Sequence, residues 1–155
     1  MDIDELVSQN LENGTVLNLE NKKIGDDGLR RLAEMEVLKN VTRLELGENE
    51  ISDAGLANLC QSPHIAGLRT LNLKSNNITA EGARVLAESE PLSQLDQLVL
   101  KFNRIGDEGA KHLADSKYLT RLSTLDLFRN RLTPEGAQAI KSSANFKRVN
   151  RIRLD

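Results

Sequence analysis

Aromatic residues and cysteine are scarce in this sequence. The first shortage restricts the composition of the hydrophobic core, and the second restricts disulfide bonding. Aromatic residues form 3% of the 155 residues, and tryptophan is absent. A hydrophobic core must therefore consist mainly of leucine, isoleucine, valine and alanine. The single cysteine, Cys60, excludes an intramolecular disulfide framework. Because unpaired cysteines are typical of reducing compartments, we expect a cytoplasmic location.

A strong net charge and a long apolar run are also missing. The formal net charge is −2, which argues against general phosphate binding, so we expect no nucleic-acid partner. No stretch approaches the ~18 apolar residues of a membrane span, and the acidic amino terminus, MDIDELVSQN, lacks the apolar segment of a signal peptide. An apolar content of 39% and a charged content of 28% predict a globular protein without membrane contact.

A 27-residue repeat organises the chain. Each unit begins with two leucines separated by one residue, and the first of each pair is Leu17, Leu44, Leu71, Leu98 or Leu125, with Ile152 beginning a sixth pair. Five positions on, the last four full units have asparagine, and eleven positions on every full unit has glycine. Because no insertion or deletion interrupts this spacing, the sequence predicts identical stacked units.

The repeated segments also resemble a known family. They read VTRLELGENEI at 41–51, LRTLNLKSNNI at 68–78, LDQLVLKFNRI at 95–105 and LSTLDLFRNRL at 122–132. This pattern resembles the leucine-rich repeat, L-x-x-L-x-L-x-x-N-x-L, and helix segments such as IGDEGAKHLA are similar to its ribonuclease-inhibitor-like subclass and to bacterial GALA-type repeats. The resemblance implies a right-handed α/β solenoid, a horseshoe with a parallel β-sheet on its concave face and helices on its convex face.

Elementary geometry favours the same architecture. Two leucines in L-x-L lie on one face of a short strand, because side chains alternate in extended backbone. The asparagine can donate and accept, so stacked copies can bind the backbone of neighbouring turns. Ser52, Thr79 and Thr133 occupy the N-cap positions of the helices that follow. The recurring glycine predicts close packing against the neighbouring repeat, despite its cost in helix propensity.

We expect one domain over residues 1–155. It comprises an amino-terminal cap helix at 1–13, five full repeats at 14–151 and a partial sixth strand at 152–155. Ile3, Leu6 and Leu11 are the apolar positions of the predicted cap helix. The sheet edge at the carboxyl end leaves open a monomer, an edge-to-edge homodimer or a fragment of a longer array.

Residues that could support catalysis do not converge. His64 precedes a predicted strand, whereas His112 lies on a predicted helix, and Cys60 occupies a position that is alanine in the next two repeats. No spacing of histidine and cysteine typical of a metal site is present. We therefore expect a protein that is not an enzyme and has no cofactor or metal site.

The residues that vary between repeats on the predicted concave face should decide which partner binds. The candidate partner-binding residues are Glu45, Glu48, Asn72, Lys74, Val99, Lys101, Phe102, Asp126, Phe128, Arg129, Arg151 and Arg153. The first two strands are acidic and the later ones mostly basic. Phe102 and Phe128 lie on neighbouring strands beside Val99, a combination of aromatic and basic residues typical of interface anchors. The alternative is that Phe102 covers a neighbouring turn.

These patterns predict a non-catalytic module that binds a partner protein on its concave face. A second hypothesis is an enzyme regulator resembling the GTPase-activating protein of the nuclear-transport GTPase Ran. Arg104 and Arg131, at strand-to-helix loops, are the comparable positions, without a motif match. A third hypothesis is a structural repeat fragment of a larger protein.

Overall fold

The computed structural model describes residues 2–154, and these contain six α-helices and seven short strands. The helices are α1 (Ile3–Asn10), α2 (Gly25–Ala33), α3 (Asp53–Cys60), α4 (Ala80–Ala87), α5 (Gly106–Ala114) and α6 (Pro134–Ser142). The strands are β1 (Leu11–Glu12), β2 (Val16–Asn18), β3 (Arg43–Glu45), β4 (Thr70–Asn72), β5 (Gln97–Val99), β6 (Thr124–Asp126) and β7 (Arg151–Arg153). Short 3₁₀ segments lie at Glu36–Asn40, Glu90–Leu92 and Ala144–Phe146.

The strands form one open sheet in the order β1 to β7. From β2 to β7 all neighbours are parallel, and each paired residue lies 27 positions from its partner, as Leu44 does from Leu71. A helix follows each strand from β2 to β6, and consecutive helices from α2 to α6 pack against one another. This alternation around an unclosed sheet confirms the predicted α/β solenoid.

The repeated leucines form the core between sheet and helices. Both members of the central pairs are completely buried: Leu44, Leu46, Leu71, Leu73, Leu98 and Leu100. Helix residues such as Leu59, Leu86 and Leu113 are also completely buried. Burying one such side chain stabilises the fold by about 1.5–3 kcal/mol. The repeated leucines therefore stabilise the core and are not accessible to a partner.

A ladder of asparagine side chains joins neighbouring turns, as predicted. The Oδ1 atom of Asn103 accepts a hydrogen bond from the backbone N–H of Ile78 at 3.0 Å. Its Nδ2 atom donates to the carbonyls of Leu73 and Leu100, each at 2.9 Å. Asn49, Asn76 and Asn130 make equivalent bonds. Since these turns are buried, the amides satisfy backbone groups that water cannot reach.

A second ladder joins the helix starts. Thr79 caps α4, because its hydroxyl accepts a hydrogen bond from the backbone N–H of Glu81. The same hydroxyl and the Thr79 N–H donate to the carboxylate of Asp53 in the preceding repeat. Asp26–Ser52 and Asp107–Thr133 form equivalent pairs. The predicted caps are confirmed, and Asp26, Asp53 and Asp107 each bind the cap residue of the next repeat.

The amino-terminal segment departs from the prediction. The expected helix at 1–13 ends at Asn10, and Leu11–Glu12 then pairs antiparallel with β2. Between the strands, Asn13 and Gly14 have positive φ values of 53° and 74°. Asparagine and glycine tolerate this left-handed backbone, so the chain reverses here in a hairpin. Met1 of the predicted cap lies outside the described residues.

At the other end, the last strand begins one residue earlier than predicted. Strand β7 comprises Arg151–Arg153 and pairs in parallel with β6. Arg151 donates its backbone N–H to the carbonyl of Ser123, which places it within the sheet. Asp155, predicted as part of this strand, lies outside the described residues.

Candidate partner-binding surface

The candidate residues lie mainly on the sheet face opposite the helices, which we call the open sheet face. Within each parallel strand the middle residue is directed into the core, and its two neighbours are directed outwards. In β4, for example, Leu71 is completely buried, whereas Thr70 and Asn72 are half-buried. Successive strands therefore present their variable residues side by side.

Four residues near the carboxyl end of this face form what we call the aromatic cluster: Phe102, Phe128, Arg129 and Arg153. The two phenylalanine rings meet edge to face, with centroids 5.8 Å apart and planes at 78°. The guanidinium carbon of Arg153 lies 4.0 Å from the Phe128 centroid, and that of Arg129 lies 5.3 Å from it. Both distances are within the range of cation–π attraction. The structure thus brings together residues from three consecutive repeats.

Phe102 is the exposed member of the cluster and has an unusual backbone. It is 48% exposed, the one large hydrophobic side chain exposed among the described residues. Its φ is +60°, a left-handed conformation that is strained for a bulky residue. The corresponding Asn21, Glu48, Ser75 and Arg129 also have positive φ, so the turn imposes this backbone on every repeat. The hydrophobic core therefore does not account for a phenylalanine at this position.

An ion pair crosses the opposite end of the face. The Nζ atom of Lys74 lies 2.5 Å from Oε1 of Glu20, two strands away. The lysine stem passes over Gly47, where a side chain would collide with Cγ and Cε of Lys74. The hydrogen bond to Glu20 is the main cause of a raised pKa of Lys74. The sequence analysis did not predict this ion pair. Gly47 was a signal for it, because the other repeats have a charged or aromatic residue at the same position.

Glu45, one of the predicted partner-binding residues, is buried beside an arginine on the open sheet face. Glu45 is 6% exposed, and its Oε1 atom lies 2.6 Å from Nε of Arg43. The two residues are separated by one position, so they lie on the same face of β3, where the arginine neutralises the carboxylate. Glu48, by contrast, is exposed at the end of its turn.

Asn72 and Asp126 have structural roles at the strand ends. The Oδ1 atom of Asn72 accepts a hydrogen bond from the backbone N–H of Lys74, and that of Asp126 accepts one from Phe128, both at 3.0 Å. Each side chain thus restrains the residue two positions on, which is itself a candidate. We assign these two residues to positioning Lys74 and Phe128.

Charge on the open sheet face is unevenly compensated. Within residues 2–154, no ion pair joins Lys101, Arg151 or Arg153 to a carboxylate. Lys101 is half-buried, and both arginines are exposed. At the other end, Lys74 and Arg43 pair with Glu20 and Glu45. The face therefore has an amino-terminal half where, among the described residues, Glu20 and Glu45 are paired and the exposed Glu12 and Glu48 are not, and a mostly positive carboxyl-terminal half beside the aromatic cluster.

Other reactive residues do not assemble into a site. His64 and His112 line separate surface depressions. Cys60 is buried, and burial raises the pKa of its thiol to about 12, while the nearby Ser89 hydroxyl opposes the shift. In the part of the chain that the structure describes, no three histidine, cysteine or acidic residues are placed to hold a metal ion. Over the same residues, no helix has the length and hydropathy needed to cross a membrane.

Comparison with known sequences identifies the repeat. The profile of the leucine-rich repeat family matches residues 37–60, 68–87, 95–114 and 118–141, which together make up more than half of the chain. A search of curated proteins finds no significant match. The matched segments contain strands β4 and β5 with their helices, so the family signal coincides with the stacked units.

Solved structures share the fold at low sequence identity. The tropomodulin C-terminal domain of Caenorhabditis elegans is 19% identical with a TM-score of 0.62, over 96% of this chain and 95% of that one. A leiomodin-1 fragment, actin-binding site 2, is 19% identical with a TM-score of 0.61, over 94% of this chain and 86% of that one. An internalin from Listeria monocytogenes is 23% identical with a TM-score of 0.46, and the match spans 77% of this chain and 36% of the internalin.

Proposed function

Because the chain belongs to the leucine-rich repeat family, whose fold commonly mediates protein–protein interaction, we propose that it is a non-catalytic module that binds a partner protein on its open sheet face. The observation that carries this proposal is the exposed, strained Phe102 next to Phe128. Neither the core nor the asparagine ladder requires a phenylalanine at this position, which is polar or charged in the other four repeats.

The cluster has the properties of an interface anchor. Binding energy usually concentrates in a few aromatic and arginine residues surrounded by less important contacts. Here the Phe128 ring contacts both the Phe102 ring and the Arg153 guanidinium, so little side-chain freedom would be lost on binding. Backbone hydrogen bonds in the turns after β5 and β6 position the two phenylalanines, which further reduces the entropy lost on association.

The structural neighbours support a binding role in general terms. The leiomodin-1 fragment is described as an actin-binding site, so an array of this fold binds a protein there. At 19% identity the likeness extends to the fold and not to the partner. The partner of the present chain must therefore be sought from its own surface.

Capture from a cell extract with a face-specific variant tests the proposal. The variant carries Val99→Glu, Phe102→Ala and Phe128→Ala, and its matched control carries Gln138→Ala and Lys141→Ala on α6. Partners captured by the wild type should be identified by mass spectrometry, purified and titrated against each protein. We expect the control to bind normally and the face variant to lose binding.

Stability measurements keep this test interpretable. The face variant should unfold near the wild-type temperature, because all three side chains are exposed or half-buried. Leu100→Ala, on the buried side of the same turn, should lower the free energy of unfolding by about 2–5 kcal/mol. Equal binding by the face variant and the wild type would disprove the proposal, and a marked loss of its thermal stability would assign the aromatic residues to the core.

Regulation of a GTPase is the second candidate function. Arg104 and Arg131 are both exposed next to the asparagine ladder, which is the arrangement that the resemblance implies. Their side chains would have to reach a nucleotide held by another protein. Turnover assays across a panel of GTPases test this directly, since unchanged hydrolysis would remove the hypothesis.

Four further expectations remain predictions: the ribonuclease-inhibitor-like subclass, a single domain over 1–155, a cytoplasmic location, and a monomer or edge-to-edge homodimer. Light scattering distinguishes the two oligomeric states. Disruption of a dimer by a proline within β7 would assign the contact to that edge, because proline cannot donate to a strand ladder.

A further inference from the structure

The charges that remain available around β5 to β7 are mostly of one sign. Glu20 and Glu45 are paired with Lys74 and Arg43. In the described part of the chain, Lys101, Arg151 and Arg153 make no ion pair with a carboxylate. A partner approaching the aromatic cluster thus meets cations that need a counter-charge.

We propose that the partner contributes an acidic segment carrying apolar side chains, and that this segment binds on β5 to β7. This inference rests on the proposed function and specifies its partner chemistry. An apolar side chain of the segment would contact Phe102 and Val99, and its carboxylates would pair with Arg151, Arg153 and Lys101.

Arg153 is central to this arrangement because a guanidinium can make two kinds of contact at once. Its guanidinium carbon lies over the Phe128 ring, 4.0 Å from the centroid. A guanidinium has five N–H donors, so it can bind a carboxylate in a bidentate manner while it contacts a ring. The ring therefore restrains Arg153 before the partner arrives, which reduces the entropy lost on pairing.

Two other occupants fit the face less well. Single-stranded RNA would supply negative charge, but Asp126 and Glu48 lie on the same face or its margin, and the chain carries a net charge of −2. A second copy of this chain would need accessible acidic residues to match the basic half. Since Glu45 is buried and Glu20 is paired, its own open sheet face offers Glu12, Glu48 and the half-buried Asp126, which lie far apart in sequence and not in one acidic segment.

Binding of four labelled synthetic peptides, followed by fluorescence anisotropy, tests the inference. The first alternates glutamate with leucine and phenylalanine. The second has lysine in place of every glutamate, the third has glutamine there, and the fourth keeps glutamate but has serine in place of every apolar residue. Labelled oligouridine serves as the nucleic-acid probe.

We expect the acidic apolar peptide to bind, and each other peptide to bind at least ~10-fold more weakly. Phe102→Ala, and separately Arg151→Gln with Arg153→Gln, should each weaken binding at least ~10-fold. Lys141→Gln on α6 should leave it unchanged. Raising the ionic strength should weaken binding, because these pairs are near the surface.

The outcomes separate this inference from the proposed function. Equal binding of the glutamine or lysine peptide, abolished by Phe102→Ala, would overturn the charge inference and leave the function standing. Tighter binding of oligouridine, weakened by the arginine changes, would assign the surface to nucleic acid. Failure of every peptide to bind would also overturn the inference, and capture with the face variant would still test the function.

Discussion

The carboxylate of Asp26 occupies the space that a side chain on Gly55 would need. A Cβ atom at Gly55 would lie 2.9 Å from Cγ and 3.1 Å from Cα of Asp26. The carboxylate is held there by Ser52, whose N–H and hydroxyl both donate to it, at 2.8 and 2.5 Å. Gly55 and Asp26 are therefore parts of one contact, which recurs between Gly82 and Asp53 and between Gly136 and Asp107.

Gly55→Ala tests this relationship. The added methyl should destabilise the protein by about 1–3 kcal/mol, although alanine favours a helix by about 1 kcal/mol over glycine. In an Asp26→Ala background the carboxylate is absent, so the same change should cost less than about 1 kcal/mol. A double-mutant cycle by urea unfolding measures the coupling, and additive effects would contradict the shared contact.

Asn103→Ala should be among the most damaging polar substitutions. It leaves the Ile78 N–H and the Leu73 and Leu100 carbonyls without their partner in a buried turn. We expect a loss of about 3 kcal/mol in the free energy of unfolding. Asn58→Ala is the matched control, since Asn58 makes one bond to its own helix and should cost less than about 1 kcal/mol.

Phe102→Asn should weaken partner binding while leaving stability within about 1 kcal/mol of the wild type. It loses the edge-to-face contact, worth about 0.5–1.5 kcal/mol, and gains a residue that tolerates positive φ. Phe146→Ala is the contrasting aromatic change, because Phe146 is 4% exposed and should cost about 3–5 kcal/mol. Comparable losses in thermal or urea unfolding would show that Phe102 serves the core.

The Lys74–Glu20 pair predicts a pH dependence of stability. The hydrogen bond to Glu20 raises the pKa of Lys74, so the folded state holds this proton more tightly than the unfolded state. The stabilisation of the folded state by this ion pair is fully present below the ordinary lysine pKa of about 10.4. It is lost as the pH rises through the pKa of Lys74 in the folded protein. Lys74→Met should cost about 1 kcal/mol at neutral pH, and the difference should shrink in unfolding measured above about pH 10.4. Glu20→Gln should remove the same dependence.

Cys60 should resist thiol reagents in the folded protein. Burial raises the pKa of its thiol from 9.0 to about 12, which lowers the thiolate fraction at pH 8 by roughly 1,000-fold. Reaction with a chromogenic disulfide should therefore be slow in buffer and fast in urea. Cys60→Ala should change stability by less than about 1 kcal/mol, because alanine holds this position in the next two repeats. Rapid modification of the folded chain would contradict the assigned burial.

The sequence predicted the frame well because the frame is periodic. The leucine pair, the asparagine and the N-cap at Thr79 each depend on contacts whose spacing repeats along the chain, so their phase is readable from residue order. The hairpin at Asn13 and Gly14 was missed although both residues favour left-handed backbone. The hairpin occurs only once in the described residues, so it was not part of the repeated pattern from which the other elements were predicted.

The candidate site was predicted in part. Phe102 and Phe128 were expected on neighbouring strands, and they lie instead in the turns that follow β5 and β6, where their rings meet. Burial of Glu45 was missed, since its pairing with Arg43 depends on side-chain conformation. The restraint of Phe128 by Asp126 was also missed, although equivalent bonds join Asn18 to Glu20 and Asn72 to Lys74 at the same position of the repeat.

By itself, residue order determined that this chain stacks similar units and that its leucines serve the core, because hydrophobic periodicity at constant spacing permits few other arrangements. Tertiary structure decided which charges remain available. Lys74 reaches Glu20 only because Gly47 between them lacks a side chain, whereas no neighbouring carboxylate in the described residues pairs with Arg153. Such pairing depends on distances between side chains of different repeats, and those distances exist only in the assembled sheet.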